Sequence, residues 1–340
     1  MKEIISNLKP LDFHWKTYDP FLFCAHHYDH FPKGNDQQGP DASLRDRLMG
    51  NDFTIKDGWR MYHGRNVPGF PVHPHRGFET VTIVLEGFVD HSDSLGAGGR
   101  YGQGDVQWMT AGSGIQHSEM FPCIFKDKPN TLHLFQVWLN LPRKSKFVEP
   151  YYRMFWNEDI PVLQEIDERG NKTSIRIIAG SLNEEKALSP PPDSWASDPA
   201  NNVAIWIITI EPGARWNLPE NTSGAERALY YYKGKGLKTG DTDIPENHSF
   251  TTESESSLCL ENTDSENESC LLLLQGIPLN EPVVQSGPFV MNTEDEIYQT
   301  YSDYRETQFG GWPWDSPEPV HGLETFRFAR FADGRIEKRD

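Results

Sequence analysis

The run Pro71-Val72-His73-Pro74-His75-Arg76-Gly77-Phe78-Glu79-Thr80, continued by Val81-Thr82-Ile83-Val84-Leu85, decides the fold. On an extended chain alternate side chains share a face, so His73 and His75 point the same way. The β-branched run behind them has strand length and composition. A second stretch, Gly104-Asp105-Val106-Gln107-Trp108-Met109-Thr110-Ala111-Gly112-Ser113-Gly114-Ile115-Gln116-His117-Ser118-Glu119, ends in another such pair. Two strands of this kind facing each other across a barrel deliver three imidazoles and a carboxylate to one point, within the roughly 2.0–2.2 Å at which nitrogen and oxygen bind a transition metal.

Outward from these stretches the pattern repeats. Thr131–Leu139 and Val203–Ile210 are apolar, β-branched runs, and 28 glycines and 25 prolines punctuate the chain at short intervals. Many short strands bounded by turn residues mean an all-β sandwich or barrel. A helix is predicted near the end, where Thr293 precedes Glu294-Asp295-Glu296 and the stretch runs through Tyr304: a cap residue followed by an acidic first turn.

A chain of 340 residues makes two domains. The break is expected near residues 181–201, where Pro190-Pro191-Pro192 interrupts the strand pattern, giving domains over 1–180 and 181–340. Residues 240–270, rich in serine and carrying Glu253, Glu255, Glu261, Asp264, Glu266 and Glu268, form a second polar interval. Both intervals read as surface insertions, the acidic one as a solvated loop.

Thirty-two basic against fifty acidic residues give a formal charge of −18, which repels a phosphate backbone, and no basic patch stands apart from it. Direct nucleic-acid binding is therefore not expected. Cys24, Cys123, Cys259 and Cys270 lack CxxC spacing, so reduced thiols and a cytoplasmic location are the expectation. The first residues form no apolar signal region, and Leu271-Leu272-Leu273-Leu274 is far shorter than the roughly 20 residues of a membrane span.

A ligand set of histidines with a carboxylate suits Fe, Mn, Ni, Cu or Zn, and iron(II) is favoured because such sets with open positions serve non-haem oxygenases. A single His-x-His is ordinary on a strand; two paired motifs in glycine-rich turns are not. His26, His27 and His30 have mixed spacing and read as a loop or pocket rim. Arg76 and Gln116 alternate to the opposite face from the ligands and support the barrel. Trp108 and Met109 read as core, and His133, inside an apolar strand, as either a lining residue of the same pocket or, the favoured reading, a satisfied core histidine. Beyond residue 201 only His248 and His321 remain, so one metal per chain is expected.

His73 through Thr80, Gln107-Trp108-Met109-Thr110-Ala111-Gly112, Gly114 through Met120, and Ser286-Gly287-Pro288-Phe289-Val290-Met291-Asn292 together closely resemble the pirin family of the cupin superfamily. The resemblance also takes in the Asp303-Tyr304-Arg305 to Phe309-Gly310 segment. It implies a bicupin of two jelly-roll-type β-barrels with a short C-terminal helix, the N-terminal barrel holding a metal and the C-terminal one lacking ligands, with the C-terminal segment able to pack back on the first barrel. It implies His73, His75, His117 and Glu119 as ligands, with Glu79, where many cupins place their glutamate, as the rival to Glu119. It implies a flavonol such as quercetin and dioxygen as substrates, with Glu119 serving also as catalytic base toward the flavonol 3-hydroxyl. The other reading that the resemblance allows is a metal- and redox-dependent module that contacts a protein partner without turnover.

Overall fold

The computed structural model describes residues 5–221 and 224–340 and is built almost wholly of antiparallel strands. Its contacts divide it into two interleaved units: residues 25–157 with 281–340, and residues up to 24 with 158–280. This differs from a division at residue 180 in two ways. Strands Val162–Ile166 and Lys172–Ala179 belong to the second unit because they pair in sequence with Ala204–Ile210, and Ile175 and Ile177 enter its core. Residues 281–340 return to the first unit.

The first unit contains β1 (Phe21–Phe31, entering from the preceding segment), β2 (Gly69–His75), β3 (Phe78–Glu86), β4 (Phe88–Asp93), β5 (Gly98–Gly102), β6 (Val106–Thr110), β7 (Ile115–Met120), β8 (Asn130–Asn140), β9 (Tyr151–Phe155), β10 (Arg327–Arg330) and β11 (Ile336–Arg339). One sheet runs β9-β6-β3-β8-β1 and the other β11-β10-β5-β4-β7-β2. Val81, Ile83, Trp108, Met109, Phe135 and Val137 are fully buried, as β-branched and aromatic side chains on both faces of central strands should be. Trp108 and Met109 are thus core.

Helix α1 (Glu294–Thr307) starts at a capping box in which Thr293 and Glu296 satisfy each other's backbone N–H. It lies against the first barrel through residues next to the metal motifs. Arg76 donates to Ser113 O at 2.6 Å and to Asp303 at 2.7 Å, and its guanidinium covers the Phe309 ring. Gln116 donates to Gln308 O at 2.7 Å and accepts from the Tyr304 hydroxyl at 2.9 Å. The alternation that points His73 and His117 inward points these two toward the helix. Gly77 sits at φ +86°, and a Cβ there would lie 2.0 Å from Val290 O; Gly114 sits at φ +135°, and a Cβ would strike the Phe309 ring. Glycine is required at both by the left-handed backbone and by the close approach of the C-terminal segment.

The second unit has a seven-stranded sheet in the order 5–10, 248–252, 226–233, 269–276, 204–210, 172–179, 162–166, and a four-stranded one formed by 215–218, 258–262, 237–239 and 242–244. Trp206, Ile208, Trp216, Leu229, Phe250, Leu260, Leu271 and Leu273 pack into its core. The polar interval 240–270 is accordingly not an insertion: Ile244, Phe250, Leu258 and Leu260 supply inward positions of three strands, while the acidic residues occupy outward positions and turns. Serine and glutamate dominate the composition there and hide the alternation. Residues 181–201 do form a projection, a two-residue-per-strand hairpin (Ser181–Leu182 with Glu185–Lys186) followed by two short 3-10 turns.

Candidate metal centre

Strand β7 lies between β2 and β4, and its registers set the site. His117 is opposite His73 on one side and opposite Asp93 on the other; Glu119 is opposite His91. Residues directly opposite in an antiparallel pair share a face, so three strands, not two, send polar side chains to one point. A register shift between Phe70 and His73 brings the first histidine into line.

The ring centroids of His73 and His117 are 4.4 Å apart, and His75 lies 4.8 Å from each. Among the described residues, His73, His75 and His117 form the set whose ligand atoms all lie within 4.8 Å of one another. Their state fits a metal. The His73 Nδ1 is 2.8 Å from Pro71 O and the His75 Nδ1 is 3.3 Å from Pro288 O, contacts that fix Nδ1 as the protonated nitrogen and leave Nε2 for coordination. His117 is fully buried and among the described residues neither of its nitrogens has a hydrogen-bond partner, an arrangement costly in an apolar interior unless a ligand takes one of them. Burial holds the His73 imidazole down to about 4, and burial together with the neighbouring His73 pushes His75 and His117 well below the usual imidazole range. All three are neutral at pH 7, as metal binding requires.

Glu119 sits beside this set: its Oε2 is 3.9 Å from His117 Nε2. Its carboxylate accepts from Gln136 at 2.7 Å and from Thr82 at 3.2 Å, and burial raises its affinity for a proton while these bonds oppose the rise. Glu79 is equally buried and its carboxylate accepts a 2.6 Å bond from Thr110; neither it nor Glu119 belongs to the three-imidazole set. His26 and His133 meet each other at 3.0 Å, His27 packs on Tyr62 and Phe70, and His30 is exposed, so among the described residues that cluster gathers no ligand set.

The residues that sequence reasoning passed over are His91 and Asp93 on β4, and Thr82 and Gln136 behind Glu119. His91 and Asp93 are completely buried, 3.2 Å apart, on the face that carries His117 and Glu119. The signal was present in Asp90-His91-Ser92-Asp93, the same i, i+2 spacing of titratable side chains on a strand. A cavity of about 670 Å³, lined by His63, Phe70, Val72 and Pro317 among others, reaches His73 from outside.

Fold and site together define a bicupin with one candidate metal centre in its first barrel. The chain belongs to the pirin family: the Pirin family model matches residues 9–139 and the model for the pirin C-terminal cupin domain matches 205–310. Human Pirin is 36% identical over 253 residues, covering 73% of this chain and 80% of that protein. A Pseudomonas aeruginosa protein carrying the provisional name quercetin 2,3-dioxygenase is 38% identical over 244 residues, covering 71% of this chain and 79% of the relative. Among solved structures, a quercetin 2,3-dioxygenase from Acinetobacter baumannii superimposes with a TM-score of 0.69 at 26% identity, over 90% of this chain and 98% of that one. All four cysteines are free thiols, and among the described residues no helix is long and apolar enough to cross a membrane.

Proposed function

We propose that this chain is an iron(II)-dependent dioxygenase acting on flavonols such as quercetin, with the metal held by His73, His75, His117 and Glu119. The observation that carries the reading is the buried Glu119 carboxylate, held by Thr82 and Gln136 beside three neutral imidazoles, one of which, His73, lines an open cavity. The relatives named for flavonol dioxygenation support the choice of substrate class.

When bound, the metal supplies Lewis acidity toward the flavonol hydroxyl and a redox partner for dioxygen. The chain's own residues do the rest. The cavity volume falls within the range of about 300–1,000 Å³ usual for small-molecule sites, and Phe70, Val72 and Pro317 give it apolar walls for a planar aromatic. Glu119 takes the proton of the 3-hydroxyl; the carboxylate that receives it is desolvated and therefore basic enough for the task. Gln136 and Thr82 keep that carboxylate aimed at the imidazoles while it exchanges the proton.

The test is oxygen uptake by the iron-loaded protein with quercetin, compared with Glu119→Gln. Flavonol-dependent uptake that falls by about 10²-fold or more in the variant supports the proposal. Stoichiometric iron without uptake transfers the reading to a metal-dependent protein-interaction module.

A further inference from the structure

The second barrel has its own polar row. Arg227 is opposite Gln275, which is opposite Ala204, on three neighbouring strands; two residues further along each, Leu229, Leu273 and Trp206 form the next row on the same face, within the core. A guanidinium and an amide therefore occupy the inner face one row beyond the apolar filling, where a barrel that only needed to close would carry more leucine. Arg227 is 1% exposed.

Its bonding is incomplete in a specific way. Nε donates to Gln275 Oε1 at 2.6 Å and Nη1 to Pro219 O at 2.9 Å, and Gln275 is itself held by donating to Asn202 O at 3.3 Å. Both acceptors are neutral. Among the described residues no carboxylate pairs with Arg227 and no acceptor meets Nη2. Burial without a compensating anion draws the guanidinium down to about 10. A buried cation without a counter-ion is among the more costly features that a fold can carry.

The uncompensated charge lines a cavity of about 650 Å³. Leu182, Leu188, Val203, Ala204, Trp206 and Pro219 give it an apolar side, the rest of its lining being polar, and the indole N–H of Trp206 is turned away to Ala179 O at 3.1 Å, so its ring acts as surface and not as donor. The other charges around it, Lys186, Asp198 and Glu220, are all exposed. One planar cationic fork beside an apolar side that includes the Trp206 ring matches a ligand with one planar anionic group on an apolar body.

We propose that this end of the second barrel binds a small aromatic monocarboxylate, its carboxylate paired with Arg227 and its ring against Trp206 and Leu182. The site is independent of the metal centre and of the reaction proposed there. The projection at 181–201, which the sequence marks only as an insertion, forms much of its wall.

Isothermal titration of the metal-loaded full-length protein with sodium benzoate and with neutral benzamide tests this. The expected result is one benzoate site per chain, benzamide at least about tenfold weaker, and benzoate affinity lowered at least about tenfold in Arg227→Gln with metal content unchanged. Equal affinity for the two probes, no saturable benzoate binding at millimolar concentration, or benzoate binding that survives Arg227→Gln each overturns the proposal; the last would place the anion elsewhere, at the metal included. Should Arg227→Gln fail to fold, Arg227→Lys, which keeps the charge and loses the planar fork, takes its place, with the same loss of benzoate affinity expected at unchanged metal content.

Discussion

The two barrels bury strands of the same kind and fill their interiors with opposite chemistry. In the first, the inward rows across β2, β7 and β4 read His73-His117-Asp93 and Glu119-His91; in the second, they read leucine and tryptophan with a single polar row at the end. The strands supply the same pleated platform in both cases. What differs is which inward rows accept the cost of buried polar groups, a cost that a bound metal in one barrel and the proposed carboxylate in the other would offset.

The contrast can be broken most directly at its centre. Replacing His117 by alanine should remove bound metal altogether, since loss of outer partners alone costs about 10–100-fold in affinity; elemental analysis of purified variant and parent measures this, and retained stoichiometric metal would dissolve the distinction between the barrels. Leu273→Ala, in the apolar interior, should instead lower unfolding stability by about 2–5 kcal/mol in urea denaturation and leave metal content untouched. Gln136→Leu removes the 2.7 Å bond to Glu119 and should lower flavonol-dependent oxygen uptake by about 10–100-fold with the fold intact, whereas loss of helical and strand signal in circular dichroism would make Gln136 a structural residue only.

Acidification sharpens the same comparison. The folded-state affinities of His73 and His26 for protons are lowered, to about 4 and about 3, so in the metal-free protein the unfolded chain binds protons first as pH falls below 6.5. Stability should therefore be complete above pH 6.5 and fall progressively toward pH 4; a thermal midpoint flat from pH 7 to 4 would contradict the burial of these imidazoles. The smallest effect is expected at Glu255→Ala in the acidic interval: an exposed turn residue whose loss should change stability by no more than about 0.5 kcal/mol.

Much of this was readable in the residues. His73, His75 and His117 announce themselves because strand alternation turns an i, i+2 spacing into a shared face, and Arg76 and Gln116 fall on the other face for the same reason. The helix after Thr293 was legible from its cap. Three things were not. His91-x-Asp93 joins the site through the pairing of β4 with β7, a contact between strands that local spacing does not specify. The strands within 240–270 were masked by a composition in which only Ile244, Phe250, Leu258 and Leu260 carry the inward pattern. The contact division differs from one near residue 180 because strand partnership, not the proline run, assigns Lys172–Ala179 to the second unit.

The interleaving of the two units sets an order of assembly on the ribosome. Strand β5 carries β10 and β11 as its outer neighbours, and Gly77, Arg76, Gln116 and the carbonyl that orients His75 all wait for residues 288–339. The barrel encoded first is thus completed after the barrel encoded second, whose strands between 158 and 280 have already emerged. During translation the imidazole cluster stands on an unfinished scaffold for more than 150 codons, so the carbonyl of Pro288 that orients His75 joins it only after the second unit's strands have been made.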